Sequence, residues 1–130
     1  DNEQVEFVYV YIKEAHPAEG WKIGGGKKFI KREVKQAKTI NDRMVALKSL
    51  IEDVQERIKE DGVDENPALL KCSNIRCVAD SMEEPNLLSL FGAFPDRLVV
   101  VKNGTVLFKG TYGPFGYNVK RVEQYLDGLF

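Results

Sequence analysis

The residues best suited to chemistry lie in the segment YIKEAHPAEGW, residues 11–21. The segment begins where VEFVYVY, an apolar run typical of a buried strand, ends. It contains the acid Glu14 and the single histidine of the chain, His16. A histidine changes its charge near neutral pH, so it can move protons. Such residues at a strand end indicate either a site or a capped turn. In the structural alternative, His16 caps a turn and Trp21 anchors the core.

The two cysteines, Cys72 and Cys77, have four residues between them and no cluster of histidines beside them. A zinc site is therefore not predicted. A domain of 130 residues does not need a disulfide framework, so we expect free thiols in a reducing compartment. We predict that Cys77 is buried within a strand and slow to alkylate. Cys72 should be more accessible, with ordinary thiol reactivity. No metal or cofactor is predicted.

The composition predicts one domain over residues 1–130 and argues against two classes of partner. The net charge is −1 and 30% of the residues are charged, so no basic footprint for nucleic acid is present. The basic stretch 27–38 is offset by the acids of 52–65. No apolar run approaches the ~20 residues of a membrane span. The sequence GGGKK, residues 24–28, lacks the Lys-Ser/Thr ending of a phosphate loop and predicts a flexible connection.

The chain begins at Asp1 without a methionine, and no signal peptide is visible. We expect a segment ahead of Asp1 to have been cleaved or omitted. Any attachment to a membrane or organelle would be made through that segment.

The first half of the chain predicts a strand, a long helix and a second strand. The helix has cap residues at Thr39 and Asn41 and a glycine stop at Gly62. A single apolar stripe runs along it, formed by Met44, Leu47, Ile51, Val54 and Ile58. The predicted strands are Val5–Lys13 and Ile75–Asp80.

The second half predicts a short helix, a hairpin and a last helix. The short helix runs from Pro85 to about Phe91. The hairpin strands Arg97–Lys102 and Thr105–Lys109 flank Asn103-Gly104, the strongest two-residue hairpin pattern. After the glycine-rich loop 110–117, Asn118 can cap a helix whose core residues are Val122, Tyr125, Leu126 and Leu129. This order of elements favours an α/β fold with a mixed sheet and helices on both faces.

The segment GAFPDRLVVVKNGTVLFKG, residues 92–110, resembles the C-terminal half of a thioredoxin. Pro95 stands at the place of the cis-proline of that fold, so we expect the Phe94–Pro95 bond to be cis. The alternative is an ordinary trans-proline that starts a strand.

Four motifs in the same order, YIKEAHPAEGW, DSM (80–82), FGAFPDRLVVV and GPFGY (113–117), resemble the iodothyronine deiodinase family and its microbial relatives. The similarity extends from Val5 to the end of the chain. Deiodinases have a thioredoxin-like fold and remove iodide reductively from thyroid hormones with a selenocysteine, which many relatives replace by cysteine. The resemblance implies that His16 and Glu14 are catalytic and lie beside the nucleophile. It implies a substrate-binding role for the residues Trp21, Phe94, Pro95 and Tyr112.

The sequence departs from the family pattern at the nucleophile, which in deiodinases lies upstream of the strand at Val5. Neither cysteine occupies that place. We therefore expect a domain that is incomplete at its N-terminus and lacks the first strand and helix of the fold. The missing strand would lie between the strands at Val5 and Ile75, which predicts a gap there or a strand donated from elsewhere.

A second departure concerns the two residues that hold the hormone in vertebrate deiodinases, a histidine and an arginine. Alignment by INDR places Gln36 or Ala37 at the histidine position, and alignment by GPFGY places Tyr112 at the arginine position. A carboxylate ligand without its cationic partner loses the strongest class of contact. Thyroid hormone is therefore a doubtful substrate.

Three functions remain open. The first is a deiodinase-like redox enzyme that acts on a small molecule or thiol, with its nucleophile upstream. The second is a non-catalytic thioredoxin-like subunit of a larger assembly, whose sheet a protein partner or the missing segment completes. The third makes Cys72 and Cys77 a reversible redox pair. In each case we expect the 130-residue chain alone to be inactive toward iodothyronines and peroxides, unless the cysteine pair acts.

Overall fold

A computed structural model describes residues 5–17, 34–60 and 75–129. Within these ranges the chain forms four strands and three helices in the predicted order. They are β1 (Val8–Tyr11), α1 (Ile40–Glu60), β2 (Arg76–Ala79), α2 (Leu87–Phe91), β3 (Val99–Lys102), β4 (Thr105–Lys109) and α3 (Val119–Asp127). The protein is therefore a mixed α/β protein, as predicted. The described strands form two small sheets of two strands each, whereas one sheet was predicted.

The chain divides into two compact units. One takes in Asp1–Tyr11 and Ala37–Met82 and contains β1, α1 and β2. The other takes in Ile12–Gln36 and Glu83–Phe130 and contains α2, β3, β4 and α3.

In the first unit, β1 and β2 pair directly and in parallel, with Val8 opposite Arg76 and Tyr11 opposite Ala79. The N–H of Asp80 extends the ladder by donating to the carbonyl of Tyr11 at 2.9 Å. The predicted gap between these strands is wrong. Parallel strands need a long crossover, and strands that follow each other through a helix are usually neighbours. Here α1 lies in that crossover, which makes β1, α1 and β2 a simple βαβ unit.

Helix α1 begins with a reciprocal cap. The N–H of Asp42 donates to Thr39 Oγ1 at 3.1 Å, and the N–H of Thr39 donates to Asp42 Oδ2 at 3.0 Å. The same carboxylate oxygen accepts the N–H of Lys38 at 3.1 Å. The cap is therefore Thr39, one of the two predicted residues, and the carboxylate satisfies N–H groups that the helix leaves without partners.

The apolar stripe of α1 is only partly covered. Leu47 is buried with 3% of its surface exposed, whereas Met44 and Val54 are about half exposed. The 3.6-residue period correctly predicts the helix, but it does not tell which members of the stripe are packed. Gly62, the predicted stop, lies outside the described residues, and the described helix ends at Glu60.

In the second unit, β3 and β4 form an antiparallel hairpin that pairs Lys102 with Thr105 and Val99 with Lys109. Asn103 (φ 51°) and Gly104 (φ 75°) both have positive φ angles. A two-residue turn of this kind matches the twist of the strands it joins, so the Asn-Gly prediction is confirmed. The register shifts between Val100 and Val101.

The two shorter helices differ in how they begin. The Asn86 side chain accepts the N–H of Ser89 at 3.0 Å and the Ser89 hydroxyl accepts the N–H of Asn86 at 3.1 Å, so α2 starts after Asn86 rather than at Pro85. Helix α3 follows Asn118, but that side chain makes no capping hydrogen bond. Tyr125 of α3 packs against Phe108 of β4, with ring centroids 5.1 Å apart. Leu129, predicted to face the core, is exposed.

Within the described residues, no helix combines the length and apolarity needed to cross a membrane.

Candidate functional site

Glu14 and His16 lie just beyond β1, which ends at Tyr11, in a bent segment whose side chains are half-buried. The Glu14 carboxylate is held there by a residue distant in sequence. Gln36 Nε2 donates a hydrogen bond to Glu14 Oε2 at 2.5 Å, and both side chains are partly buried. The segment after β1 thus carries a fixed carboxylate and an imidazole two residues apart, the pair expected for proton transfer.

Gln36 contacts a candidate site residue, and the sequence did not predict this contact. Gln36 is one of the two positions that align with the ligand-binding histidine of vertebrate deiodinases. The other, Ala37, is buried with 7% of its surface exposed. The structure therefore separates the two alternatives, since residue 36 carries a side chain directed at Glu14 and residue 37 packs inside the protein.

The second group of site residues is organised around Arg97, a residue that sequence analysis did not single out. Arg97 Nε donates to the carbonyl of Gly110 at 2.8 Å. Its Nη1 donates to the carbonyls of Phe91 at 2.8 Å and Gly92 at 3.0 Å. The same guanidinium lies over the ring of Tyr112, 5.3 Å from its centroid. We call Arg97 and these four partners the Arg97 junction. It joins the end of α2 to the start of the glycine-rich loop.

Phe94 and Pro95 lie between α2 and β3, and the bond between them is cis. The bonds Glu84–Pro85 and Gly113–Pro114 are also cis. Asp96 follows Pro95, and its backbone carbonyl accepts the N–H of Gly113 at 3.0 Å. The segment that carries Phe94 and Pro95 is therefore hydrogen-bonded to the loop that carries Tyr112.

The glycine-rich loop packs closely against Asp96. Gly113 is buried, and a Cβ atom at this position would overlap the carboxylate of Asp96. Tyr117 lies at the far end of the loop. Partial burial, and then the negative charge of Asp96, raise the pKa of its phenol above the usual value.

In the first unit, Arg43 is the buried cation that supports the end of β2. Only 5% of its surface is exposed, and its Nη1 donates to the carbonyls of Asp80 at 2.9 Å and Ser81 at 3.0 Å. The carboxylate of Asp80 in turn accepts the N–H of Ser81 at 3.0 Å. The DSM segment is thus fixed through its backbone, which the sequence motif alone did not indicate.

The predictions for the remaining residues have mixed outcomes. Cys77 is exposed, so the prediction of a buried thiol is wrong. It sits in the first half of a short strand, where Arg76 is exposed as well, and burial begins only at Val78. Trp21 and Cys72 lie outside the described residues. In the part of the chain that the structure describes, no three His, Cys, Asp or Glu side chains gather to hold a metal ion.

Comparison with known proteins identifies the family. The family model of iodothyronine deiodinase matches residues 2–130. The chain is 30% identical over 123 residues to thyroxine 5-deiodinase of Sus scrofa, an alignment that covers 95% of this chain and 33% of the relative. It is 30% identical over 125 residues to type II iodothyronine deiodinase of Homo sapiens, covering 96% of this chain and 40% of the relative.

A further relative, type II iodothyronine deiodinase of Petromyzon marinus, is 32% identical over 127 residues, with 95% of this chain and 36% of the relative covered. The βαβ unit and the hairpin with its flanking helices define an α/β protein. More narrowly, the chain belongs to the iodothyronine deiodinase family. It spans between 33% and 40% of the length of these three relatives.

Proposed function

We propose that this chain is the part of a deiodinase-like oxidoreductase that handles protons and binds an aromatic substrate. In this proposal it has a thioredoxin-like fold, and the nucleophile is a thiol or selenol carried outside residues 1–130. The observation that carries the proposal is the Glu14–Gln36 hydrogen bond just after β1. In a member of the deiodinase family, it fixes a carboxylate two residues from the single histidine of the chain.

The thioredoxin-like assignment is supported by the second half of the chain alone. A short helix, an antiparallel hairpin and a last helix follow one another, and Pro95 comes directly before the segment that enters β3. Residues 92–110 resemble the C-terminal half of a thioredoxin. The direct pairing of β1 with β2 counts against the assignment, because the thioredoxin fold places a strand between them.

The proposed reaction is a reductive dehalogenation in two steps. A thiolate or selenolate attacks the iodine of an aryl iodide, so that a chalcogen–iodine bond forms and the carbon–iodine bond breaks. The electron pair of that bond stays on the carbon, which takes a proton from the site. An external dithiol then reduces the chalcogen–iodine bond, releasing iodide and restoring the nucleophile while the dithiol becomes a disulfide.

His16 and Glu14 serve the first of these steps. A protonated imidazole can deliver the proton that the aryl carbon needs, and it can stabilise the anionic nucleophile beforehand. A carboxylate at a fixed position favours one orientation of such an imidazole. Neither residue supplies the nucleophile, so both depend on it for activity.

The substrate would lie against Phe94, Pro95 and Tyr112, with Trp21 as a further wall. Phe94 and Tyr112 present exposed rings, and aromatic rings pack well against aromatic ligands. The Arg97 guanidinium lies over one face of the Tyr112 ring, a cation–π contact that favours one position of the ring. At the position where vertebrate deiodinases have an arginine, the pocket proposed here therefore has an aromatic ring with the Arg97 guanidinium beside it.

The test uses the full-length protein, meaning residues 1–130 together with the segment that carries the proposed nucleophile. With a dithiol reductant present, it measures iodide release from aryl iodides. His16→Gln and Glu14→Gln are each expected to lower kcat by about a hundredfold, in the range of general acid–base catalysis. Glu52→Gln, an exposed acid on α1, is the matched control and should leave turnover unchanged. Full activity of both site variants would overturn the proposal.

A second candidate is a non-catalytic interaction subunit, and one observation favours it. Phe7, Val8 and Tyr9 at the start of the parallel sheet are each about half exposed, which is unusual for consecutive large apolar residues. If this candidate is correct, the full-length protein folds but shows no dithiol-dependent iodide release. Turnover that depends on His16 would exclude it.

A further inference from the structure

Gln36 reaches back from the segment just before α1 to the carboxylate that follows β1. The two residues are 22 positions apart in sequence, and the bond is charge-assisted because its acceptor is a carboxylate. Both groups are partly shielded from water, where such a bond is stronger than on an open surface. A glutamate side chain has three rotatable bonds, so this contact narrows the range of positions that Glu14 can adopt.

We infer that Gln36 is a positioning residue, which acts by holding Glu14 in the geometry needed for proton transfer. This inference rests on the proposed function and deepens it. It assigns to residue 36 a role inside the reacting site rather than in holding the substrate.

The chemistry of the amide supports this role over that of a ligand contact. Gln36 directs one N–H of its amide at a protein carboxylate. An amide also keeps its donor at every pH, whereas a histidine at this place would gain and lose a proton near neutrality. The donor that Gln36 offers to Glu14 therefore does not depend on pH.

The neighbouring position offers no substitute. Ala37 is buried, and its methyl side chain can neither donate nor accept a hydrogen bond. The geometry therefore points to Gln36 alone, of the two aligned residues, as the functional one.

A double-mutant cycle in the full-length protein tests the inference. Gln36→Leu keeps the volume of the side chain but removes its donor, and it should lower kcat about tenfold or more with little change in KM. In a Glu14→Gln background the same substitution should have little further effect, because Gln36 acts through Glu14. Gln55→Leu, at an exposed glutamine of α1, is the matched control and should leave kcat unchanged.

A second measurement separates this inference from the proposed function. The parent protein, Gln36→Leu, Glu14→Gln and the double variant are each unfolded in urea. Their free energies of unfolding give the coupling between positions 14 and 36 whether or not the protein turns over. Equal losses of kcat in both backgrounds, or no coupling in unfolding, would overturn the inference. Coupling without any turnover in the parent protein would show that the proposed function has failed and that the bond is only structural.

Discussion

At the scale of single residues, Arg97 joins three stretches of backbone to an aromatic ring. Its guanidinium donates to three backbone carbonyls and lies over the ring of Tyr112. The five N–H donors of a guanidinium lie in a rigid plane, whereas a lysine ammonium has three donors and cannot reproduce that geometry.

Arg97→Lys is therefore expected to destabilise the chain by about 2 kcal/mol, the loss typical of hydrogen bonds made by a charged group. Urea unfolding followed by circular dichroism measures this change. Arg121→Lys, at an exposed arginine of α3, is the control and should be close to neutral. Unfolding midpoints that are equal for Arg97→Lys and the parent chain would contradict the role of the junction.

Asp42 gives α1 a dependence on pH. The N–H of Lys38, and then the hydroxyl of Thr39, hold the pKa of this carboxyl below its ordinary value. Because the folded pKa is lower than the unfolded one, the stabilisation is present above the unfolded value of 3.8 and is lost as the pH falls through the folded pKa. Asp42→Asn should therefore lower the thermal midpoint at pH 6, and this difference should shrink as the pH falls below 3.8 toward the lower folded pKa. A difference in midpoint that stays constant over this range would show that the charge of Asp42 is unimportant.

Residues that act through a local pattern were predictable, and residues that act through distant contacts were not. The strand that ends before Glu14 and His16 followed from its apolar residues, and the cap at Thr39 followed from residue type. The catalytic roles of Glu14 and His16 stay a prediction. Gln36 and Arg97 were missed because no periodicity or spacing reports a side chain that reaches across the fold. The exposure of Cys77 was missed for a related reason, since strand propensity does not say which end of a short strand is covered.

At the scale of elements, the β3–β4 hairpin followed entirely from the sequence. Asn103-Gly104 specifies a turn with two positive φ angles, and the flanking residues have high strand propensity. The pairing of β1 with β2 was predicted wrongly, because it depends on which strand lies beside which, and strand sequences carry little information about their neighbours. The helix in the crossover was the better guide, since a βαβ unit places its two strands side by side more often than not.

The hairpin turn should be sensitive to a single methyl group. Gly104 has φ 75° with open space around its Cα, so Gly104→Ala adds no clash but strains the backbone by about 1–2 kcal/mol. Gly128→Ala is the control, because Gly128 has a helical φ of −74°. It should be neutral or slightly stabilising. Thermal unfolding measures both. A Gly104→Ala variant as stable as the parent would mean that the turn adopts another conformation.

At the scale of the whole molecule, we expect the 130-residue chain alone to release no iodide from iodothyronines and to consume no peroxide. His16 and Glu14 act as a unit with a nucleophile, and such residues retain little activity without it. The assay uses a dithiol reductant and includes the double variant Cys72→Ser, Cys77→Ser. Cys77 is exposed and should alkylate readily, which replaces the earlier expectation of a slow reaction. Turnover that disappears in the double variant would instead support the cysteine pair.

The two sheets also differ in how soon they can form along the folding pathway. The hairpin joins Lys102 to Thr105 and needs only a local turn, an event of about 1–10 μs. The parallel sheet joins Val8 to Arg76, so a long stretch of chain must be closed before its first pair is made. Pulse-labelled hydrogen exchange should therefore show protection at Phe108 before Val10. An early folding intermediate would therefore contain the β3–β4 hairpin before β1 has paired with β2. In that intermediate, Glu14 and His16 would not yet follow a formed strand.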